Sequence, residues 1–250
     1  MTSGDIALGL DVGGSSIKYA PVDVESGRLR AGLDSVPTPD PATAENLIDA
    51  LVELAGAQPA GMPVGVALPS VILRGVIRTA ANLHPSLIDF DAGKALRERL
   101  GRPVALLNDA DAAGLAEVRA GAARGVAGSV MVLTFGTGIG SALFIDGRLV
   151  PNTELGHMEV GGEEGEQRAA ARIKSEQNLS WKDWTARVND YLDMINRLFW
   201  PELIVIGGGI SEDYDQYARL LRSRAELRVA SFGAAAGTVG AAMAAVSQIA

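Results

Sequence analysis

The chain has no cysteine and only two histidines, His84 and His157, among its 250 residues. Without cysteine it cannot form a disulfide or bind zinc through thiolates. Acidic residues outnumber basic ones by 30 to 22, which gives a formal net charge of -8. A negative surface disfavours general binding to nucleic acid or to anionic membranes, although it leaves room for a local basic groove. We therefore expect neither nucleic acid nor a membrane among the partners.

Two long stretches, residues 125–145 and 229–250, have no charged side chain, and a membrane-spanning helix needs about 20 such residues. The first has a strand-and-turn pattern rich in glycine, which would leave backbone groups without hydrogen-bond partners in lipid. The second is mostly alanine and glycine, a composition that favours a helix packed closely inside a protein. The amino terminus has no basic and apolar signal segment, so the sequence predicts a cytoplasmic protein.

The most informative stretch is residues 130–150. Two apolar runs, 130–135 and 142–145, flank a glycine-rich turn, and Asp146-Gly147 closes a tight hairpin onto a third strand. Glycines let the backbone approach a ligand, and successive N–H groups directed at one concavity bind anionic oxygens. The turn is therefore predicted to bind phosphate.

The amino terminus repeats this design. A predicted strand, 6–12, leads through a Gly-Gly-Ser-Ser turn at 13–16 into a second strand, 17–24, and a turn at 25–27 leads into a third, 28–33. Two phosphate turns favour a phosphoryl-transfer enzyme over a protein with a single nucleotide pocket.

The rest of the chain alternates strands with helices, which is typical of an α/β protein. Further strands are predicted at 64–68, 104–107 and 203–206. Helices are predicted at 43–54, 94–100, 112–123, 163–178, 181–200, 214–224 and 233–250, with Thr43 as the cap of the first.

Asn108 and Asp109 follow the predicted strand 104–107 directly and precede a helix. The carboxyl ends of strands in open α/β sheets are where ligands bind, so an amide and a carboxylate here are placed to contact one. An aspartate before a helix is also a common cap, and from spacing alone the two interpretations of Asp109 or Asp111 are equally good.

Glu154, His157 and Glu159 lie in a loop that ends at two glycines. Several polar groups in such a loop can converge on a polyhydroxylated ligand. A single histidine in a loop is more often only solvated, and the spacing does not match the His-Glu-x-x-His zinc motif.

Other motifs are incomplete. The glycine turns at 136–138 and 207–209 lack the third glycine of a dinucleotide fingerprint, and Gly93-Lys94 lacks the leading glycine of a Walker loop. No G-x-S-x-G nucleophile elbow occurs. The sequence therefore argues against a dehydrogenase, a P-loop enzyme and an α/β-hydrolase.

Four segments occur in an order that resembles the signature of actin-like sugar kinases, and more narrowly of the ROK family (repressors, open reading frames, kinases). They are residues 11–18, 108–111, 135–140 and 207–211. The loop 151–160 and the segment 78–82 are similar to those of polyphosphate glucokinases. Any one glycine motif would be unspecific, but the resemblance extends over nearly the whole chain.

The resemblance implies an α/β protein with the actin-like ATPase (ribonuclease H-like) fold, in which two α/β domains lie around a cleft. We expect a smaller domain at 1–109, onto which a helix near 236–250 packs back, and a larger one at 110–235. We also expect a homodimer, although no motif in the sequence decides the oligomeric state.

The implied activity is that of a glucokinase, which transfers a phosphoryl group from inorganic polyphosphate, ATP or both to the 6-hydroxyl of glucose. Asp109 would be the general base. The implied sugar-binding residues are Asn82, Asn108, Asp109, Glu154, His157 and Glu159. The implied phosphate- and nucleotide-binding residues are Asp11, Gly13, Gly14, Ser15, Ser16, Lys18, Thr134, Gly136, Thr137, Gly138, Gly140, Gly207, Gly208 and Gly209. Asp11 would also help to place Mg²⁺, the implied cofactor.

The chain departs from the family pattern in places. Many ROK proteins have a cysteine-rich zinc motif after the Gly-His pair, so here we expect His157 to contact sugar without zinc. Ser70 and Ser16 stand where polyphosphate glucokinases commonly have glycine, and Ser70 leaves open whether mannose or other hexoses are accepted. Candidates for a basic track along polyphosphate are Lys18, Arg78, Arg168, Arg172, Lys174 and Lys182, although a solvated helix face explains 168–174 equally well.

Three alternatives remain. An ATP-dependent ROK hexokinase of another sugar range, such as glucose and mannose, would share these motifs. A non-catalytic ROK-type sugar sensor would not need Asp109, and a ROK-type repressor would need a helix-turn-helix domain before the first strand.

Overall fold

The computed structural model describes residues 6–80 and 83–247. Asn82, one of the predicted sugar-binding residues, lies outside the described residues. The chain divides into two compact units, one formed by 1–116 with 235–250 and the other by 117–234. The sequence placed these boundaries at 109 and 235.

The elements alternate as an α/β pattern predicts. The strands are β1 Ile6–Val12, β2 Ser16–Asp23, β3 Asp34–Pro37, β4 Val64–Leu68, β5 Ile72–Leu73, β6 Val76–Ile77, β7 Val104–Asn108, β8 Ser129–Phe135, β9 Ile139–Ile145, β10 Arg148–Val150, β11 Glu159–Val160, β12 Glu163–Glu164, β13 Leu203–Gly207 and β14 Glu226–Val229. The helices are α1 Ala44–Gly56, α2 Ala92–Leu100, α3 Asp109–Ala120, α4 Gly165–Ala169, α5 Ala171–Glu176, α6 Trp181–Phe199, α7 Tyr214–Tyr217 and α8 Ala236–Val246. Short 3₁₀ turns cover Pro85–Leu87, Leu155–His157, Gly209–Asp213, Ala218–Leu220 and Gly233–Ala235.

The first unit is built on a five-stranded sheet of order β3-β2-β1-β4-β7. Strand β1 is antiparallel to β2 and parallel to β4, which is parallel to β7. Because β4 and β7 run in the same direction, Ser70 and Asn108 come at the same edge of the sheet. Helix α1 begins as predicted, with the Thr43 side chain accepting a hydrogen bond from the N–H of Asn46 at 3.2 Å.

The predicted strand at 28–33 is wrong. The Asp23 carboxylate accepts hydrogen bonds from Ser26 and pairs with Arg30, and Gly27 has φ 72°. These contacts bend the chain, so only Leu29 forms an isolated bridge, to Val22, and the third strand comes later, at β3.

Helix α8 covers the first sheet at very short range. It has few large side chains, and most of its residues are buried. A β-carbon on Gly9 of β1 would overlap the carbonyl of Thr238, and one on Gly65 of β4 would overlap that of Ala241. The sheet and the helix can approach this closely only because glycine stands at both positions.

The second unit contains a five-stranded sheet of order β10-β9-β8-β13-β14. Strands β8 and β9 form the predicted hairpin, and Asp146-Gly147 turns into β10 with positive φ at both residues. An aromatic cluster packs beneath this sheet. Phe135 contacts Trp184 and Tyr191 edge to face, with ring centroids 6.1 and 6.2 Å apart. The aromatic face predicted on the helix after residue 180 is therefore largely core.

Helix boundaries in this unit differ from the predictions. The single helix expected at 163–178 is instead β12 followed by two short helices, because Ala170 is extended and the N–H of Arg172 donates to Gly136 O at 3.1 Å. The helix expected at 112–123 runs from Asp109 to Ala120.

The helix expected at 214–224 ends after one turn at Tyr217, and strand β14 was not predicted. Two asparagines of α6 hold the following segment in an extended form. Asn189 donates to Leu220 O and accepts from the N–H of Arg222, at 2.9 and 2.8 Å. Asn196 accepts from the N–H of Ala225 at 3.1 Å.

Among the described residues, no helix combines the length and the apolar character that crossing a membrane requires. The uncharged stretch at 229–250, as far as it is described, holds an eleven-residue helix packed on the first sheet.

The contact between α8 and the sheet predicts a specific sensitivity. Gly65→Ala should lower the free energy of unfolding by about 1–3 kcal/mol, because the added methyl group forces the helix away from β4. Gly56→Ala is the matched control, since a β-carbon there meets nothing within 4 Å. Urea denaturation followed by circular dichroism measures both. Equal midpoints for the two variants would contradict the packing argument.

Candidate active site

The phosphate turn of the first unit spans residues 13–16. The N–H of Gly13 donates to Ser16 O at 2.8 Å, and Gly14 and Ser15 are exposed at its tip. The turn is braced by Thr38, whose hydroxyl donates to Gly13 O at 2.7 Å and whose N–H donates to Ser15 O at 3.1 Å. Sequence analysis did not single out Thr38, because its role depends on the pairing of distant strands.

Asp11 lies near the end of β1, opposite Lys18 of β2. A β-carbon on Gly237, in the first turn of α8, would lie 2.6 Å from Asp11 Cγ, so the carboxyl group packs against that turn. Burial raises the pKa of Asp11, and the charge of Lys18 lowers it by less. Mg²⁺ is often held by one or two carboxylates together with phosphate oxygens and water. A single carboxylate beside a phosphate turn fits that pattern.

The edge formed by β4 and β7 carries Ser70, Asn108 and Asp109. Asn108 is buried and caps α3, since its Oδ1 accepts from the N–H groups of Ala110 and Asp111 at 2.8 and 3.0 Å. Its Nδ2 donates to Ser70 O at 3.3 Å. The cap expected of an aspartate is thus made by Asn108.

Asp109 is the first residue of α3 and is half-buried, and its Oδ1 accepts from the N–H of Ala110 at 2.8 Å. The cap at Asn108 fixes the backbone on which the Asp109 carboxylate stands. Ser70 is buried to 3% exposure, and its hydroxyl has no hydrogen-bond partner among the residues that the structure describes.

The turn between β8 and β9 is shorter than predicted. It covers residues 136–138, with the N–H of Gly136 donating to Gly138 O at 3.0 Å, while Gly140 lies in β9 opposite Thr134. A β-carbon on Gly138 would lie 2.5 Å from Glu166 Oε2. Gly138 therefore makes room for a carboxylate. Because the N–H of Gly136 is used within the turn, Thr137 is the residue whose N–H is left for the predicted phosphate.

A pocket of about 320 Å³ opens beside this turn in the second unit. Three segments line it, 135–137, 171–175 and 209–213. Of the predicted nucleotide-binding glycines, Gly209 lines the pocket, while Gly207 ends β13 opposite Thr134. Gly208 has φ 81°, and a β-carbon there would lie 2.6 Å from the N atom of Phe135. Of the three glycines, Gly209 lines the pocket, while Gly207 belongs to the strand and Gly208 packs against the backbone of Phe135.

The loop after β10 brings His157 close to three carboxylates. His157 Nδ1 lies 3.2 Å from Glu164 Oε2, and this hydrogen bond raises the pKa of His157 above its ordinary value. Burial is the next largest effect and lowers that pKa, and the charges of Glu166, Glu164 and Glu154 each raise it by less. Glu154 is exposed, but partial exclusion of water still raises its pKa. The charge of His157 lowers this pKa, and the charge of Glu166 raises it.

Glu166 is a residue of this site that sequence analysis missed. It was assigned to a solvated helix, but it is half-buried and its Oε2 lies 3.4 Å from the N atom of Ile139. Possible ligand atoms of His157, Glu164 and Glu166 lie within 4.8 Å of one another. Exposed acidic groups often cluster without a cation, so this cluster does not define a metal centre. Glu159 is exposed in β11, opposite Glu164.

Most candidates for the basic track have partners. Arg78 forms an ion pair with Asp89 at 2.5 Å, and Arg168 forms one with Asp190 at 2.8 Å. Arg172 donates a hydrogen bond to Gln167 at 3.0 Å, and the amino group of Lys174 lies 3.9 Å from the centre of the Trp181 ring. Arg168, Arg172 and Lys174 are half-buried, so a freely solvated helix face does not describe them. Lys182 is exposed.

A model of the ROK family matches residues 7–173. The chain belongs to the ROK family. The polyphosphate glucokinase of Mycobacterium tuberculosis (strain CDC 1551 / Oshkosh) is 44% identical over 241 residues, which cover 96% of this chain and 91% of that protein. The predicted family and the likeness to polyphosphate glucokinases are therefore confirmed.

Solved structures of ROK proteins are similar over almost the whole chain. The inorganic polyphosphate/ATP-glucomannokinase from Arthrobacter sp. strain KM has a TM-score of 0.88 and 45% identity, covering 95% of this chain and 97% of that one. A ROK family glucokinase from Streptomyces griseus, solved with glucose and AMPPNP, has a TM-score of 0.77 and 25% identity, covering 95% and 98%. These likenesses confirm the α/β, actin-like ATPase fold class.

The contact of His157 with Glu164 predicts a titration. Because its pKa is raised, folded His157 holds its proton more tightly than the unfolded chain does. This contribution to stability is present below the unfolded pKa, near 6.5, and is lost as the pH rises through the folded pKa; it is small because both side chains are exposed.

Glu164→Gln should lower the pKa of His157, because it removes the largest cause of the rise. Nuclear magnetic resonance titration of the imidazole signals measures this change, and His84, bonded to Ser86, is the internal control. An unchanged His157 pKa in the variant would contradict the assignment.

Proposed function

We propose that this ROK protein is a glucokinase, which transfers a phosphoryl group from inorganic polyphosphate, ATP or both to the 6-hydroxyl of glucose. The observation that carries the proposal is the 44% identity to a polyphosphate glucokinase over 96% of the chain. The Arthrobacter protein is named for both donors and for glucose and mannose, and the Streptomyces protein was solved with glucose.

Asp109 is proposed as the general base that accepts the proton of the 6-hydroxyl. Its support is the position at the carboxyl end of β7, where the neighbouring Asn108 fixes the start of α3. A carboxylate held in place can take the proton as the oxygen attacks phosphorus. Phosphoryl transfer needs positioning and charge stabilisation more than covalent help, so one base is sufficient.

Glu154, His157 and Glu166 of the second unit are proposed to bind glucose hydroxyls. In the first unit, Asn108 is proposed as a sugar-binding residue. Carboxylates accept hydrogen bonds from hydroxyls, and a protonated imidazole donates them. The raised pKa of His157 favours the donor form. Asn82 and Glu159 remain sequence predictions in the same role.

The N–H groups of Gly14 and Ser15 in the first turn, and that of Thr137 in the second, are proposed to bind phosphate oxygens, since those of Gly13 and Gly136 donate within their own turns. Asp11 would hold Mg²⁺, which when bound offsets the charge of the phosphates. The roles of Lys18, Thr134 and Gly207 remain predictions. A cytoplasmic location and a homodimer also remain predictions.

The main alternative keeps the reaction and changes the sugar. Ser70 presents a buried hydroxyl beside Asn108, and such a group can accept or donate a hydrogen bond to a sugar hydroxyl. Glucose and mannose, supplied separately, distinguish a glucokinase from an enzyme of wider range. A non-catalytic sensor would bind sugar without turnover.

The test of the function is the formation of glucose 6-phosphate with polyphosphate and with ATP, each supplied alone at two salt concentrations. We expect polyphosphate to act as a donor, with an apparent affinity that falls steeply with salt while that for glucose barely changes. If ATP supported turnover and polyphosphate did not, polyphosphate would no longer be proposed as a donor. Turnover with neither donor would overturn it.

Asp109→Asn should lower kcat by about 10² to 10⁴ and leave the glucose dissociation constant nearly unchanged, because only the proton acceptor is lost. Steady-state kinetics and glucose binding, measured on the same preparation, separate these effects. The exposed Asp215→Asn is the control for a loss of charge. A kcat close to that of the wild type would show that Asp109 is not the base.

A further inference from the structure

The pocket beside the phosphate turn is lined by one positively charged and one negatively charged side chain. Of its lining residues in the part of the chain that the structure describes, only Arg172 and Asp213 carry charged side chains. The N–H of Arg172 donates to Gly136 O at 3.1 Å, which places this residue next to the turn. Asp213 ends the 3₁₀ helix that begins at Gly209. A ligand in the pocket therefore meets a cation near 136–137 and an anion near 209–213.

Arg172 has an unused hydrogen-bond donor. Its Nη2 donates to Gln167 Oε1 at 3.0 Å, while its Nε is buried and has no hydrogen-bond partner within 6–80 and 83–247. Because Nε lies beneath the surface, a ligand in the pocket meets the guanidinium through its positive charge and its more accessible edge. A guanidinium attracts the anionic oxygens of phosphate.

Asp213 has the opposite preference. Its side chain is exposed at the pocket and carries a carboxylate. A carboxylate accepts hydrogen bonds from neutral hydroxyl and amino groups, and it repels phosphate oxygens. The pocket has about 320 Å³, the lower end of the usual range for ligand sites, so a ligand that enters beside Arg172 is kept within reach of this charge.

The two donors distribute their charge differently. ATP carries its negative charge on the triphosphate, and its nucleoside is neutral and bears hydroxyl groups. Inorganic polyphosphate carries negative charge along its whole length. If ATP extends from Arg172 towards Asp213, its phosphates are attracted by the guanidinium and its nucleoside hydroxyls can donate hydrogen bonds to the carboxylate. If polyphosphate does so, its first phosphates are attracted by Arg172 and the following ones are repelled by Asp213.

We infer that Arg172 binds the phosphates of the donor and that Asp213 sets the preference between donors, favouring the nucleoside of ATP and opposing a polyphosphate chain. The inference rests on the proposed function, which supplies the two donors. It assigns donor selection to the one acidic residue among the described residues that line the pocket.

The test compares Asp213→Asn with wild type for ATP and for inorganic polyphosphate of defined length, at one Mg²⁺ and one salt concentration. Dissociation constants from calorimetry come first, and kcat/KM for glucose phosphorylation second. The preference for polyphosphate over ATP should rise roughly fivefold to tenfold, the effect of removing one like charge near the protein surface. Asp215→Asn is the matched control, since it removes the same charge from an exposed residue that does not line the pocket.

Arg172→Gln tests the other end of the pocket. The dissociation constants for both donors should rise roughly tenfold, because a charge-assisted contact to phosphate is lost, while glucose binding stays the same. Arg219→Gln, an exposed position outside the pocket, is the control. Melting temperatures of all four variants check that each one is folded.

Two results would overturn the inference. One is a donor preference in Asp213→Asn that moves no more than in Asp215→Asn, and the other is wild-type protein that binds neither donor. The binding measurements need no turnover. If wild type bound both donors without forming glucose 6-phosphate, the glucokinase proposal would be wrong, and the ratio of dissociation constants would still decide the role of Asp213.

Discussion

The contact between helix α8 and the first sheet is the constraint on which the first unit depends. Gly9 and Gly65 let the helix backbone lie almost directly on β1 and β4, and Gly240 gives the same close approach to Ala112 of α3. Strands and helices that meet over backbone have little freedom to slide, because no flexible side chain separates them. The edge that carries Asn108 and Asp109 belongs to this assembly, and Ala112 lies one helical turn after Asp109, so the glycines of this contact help to hold those polar groups in place.

The second unit has acidic groups and proposed anion-binding groups close together in sequence. Its loop around His157 gathers carboxylates, and Glu166 is packed against Gly138. These charges suit neutral hydroxyl groups and oppose phosphate. Gly136, Thr137 and Arg172 line the pocket beside the turn, to which they bring the N–H of Thr137 and one guanidinium. The groups proposed to bind sugar and those proposed to bind phosphate are thus separated by a few residues of one hairpin.

Local sequence was sufficient where local forces decide the structure. The apolar strands β1, β4, β8 and β13, the Thr43 cap and the Asp146-Gly147 turn are near the predicted positions because burial and turn chemistry determine them. The errors lie where distant groups compete for the backbone. Asn189 holds the chain extended after α7, and Gly136 accepts the N–H that would have continued a helix through Arg172. Glu166 was missed because a charged stretch and a binding loop have the same composition.

The first unit is assembled from the two ends of the described chain, with the whole second unit between them. During synthesis, at roughly 5–20 residues per second, β4 ends at residue 68 and β1 at residue 12, long before the helix that covers them begins at residue 236. Until α8 arrives, the glycine-bearing face of the sheet lacks the helix that lies closest to it, whereas residues 117–234 already contain all the strands of their own sheet. The order of translation therefore gives the second unit the first opportunity to fold.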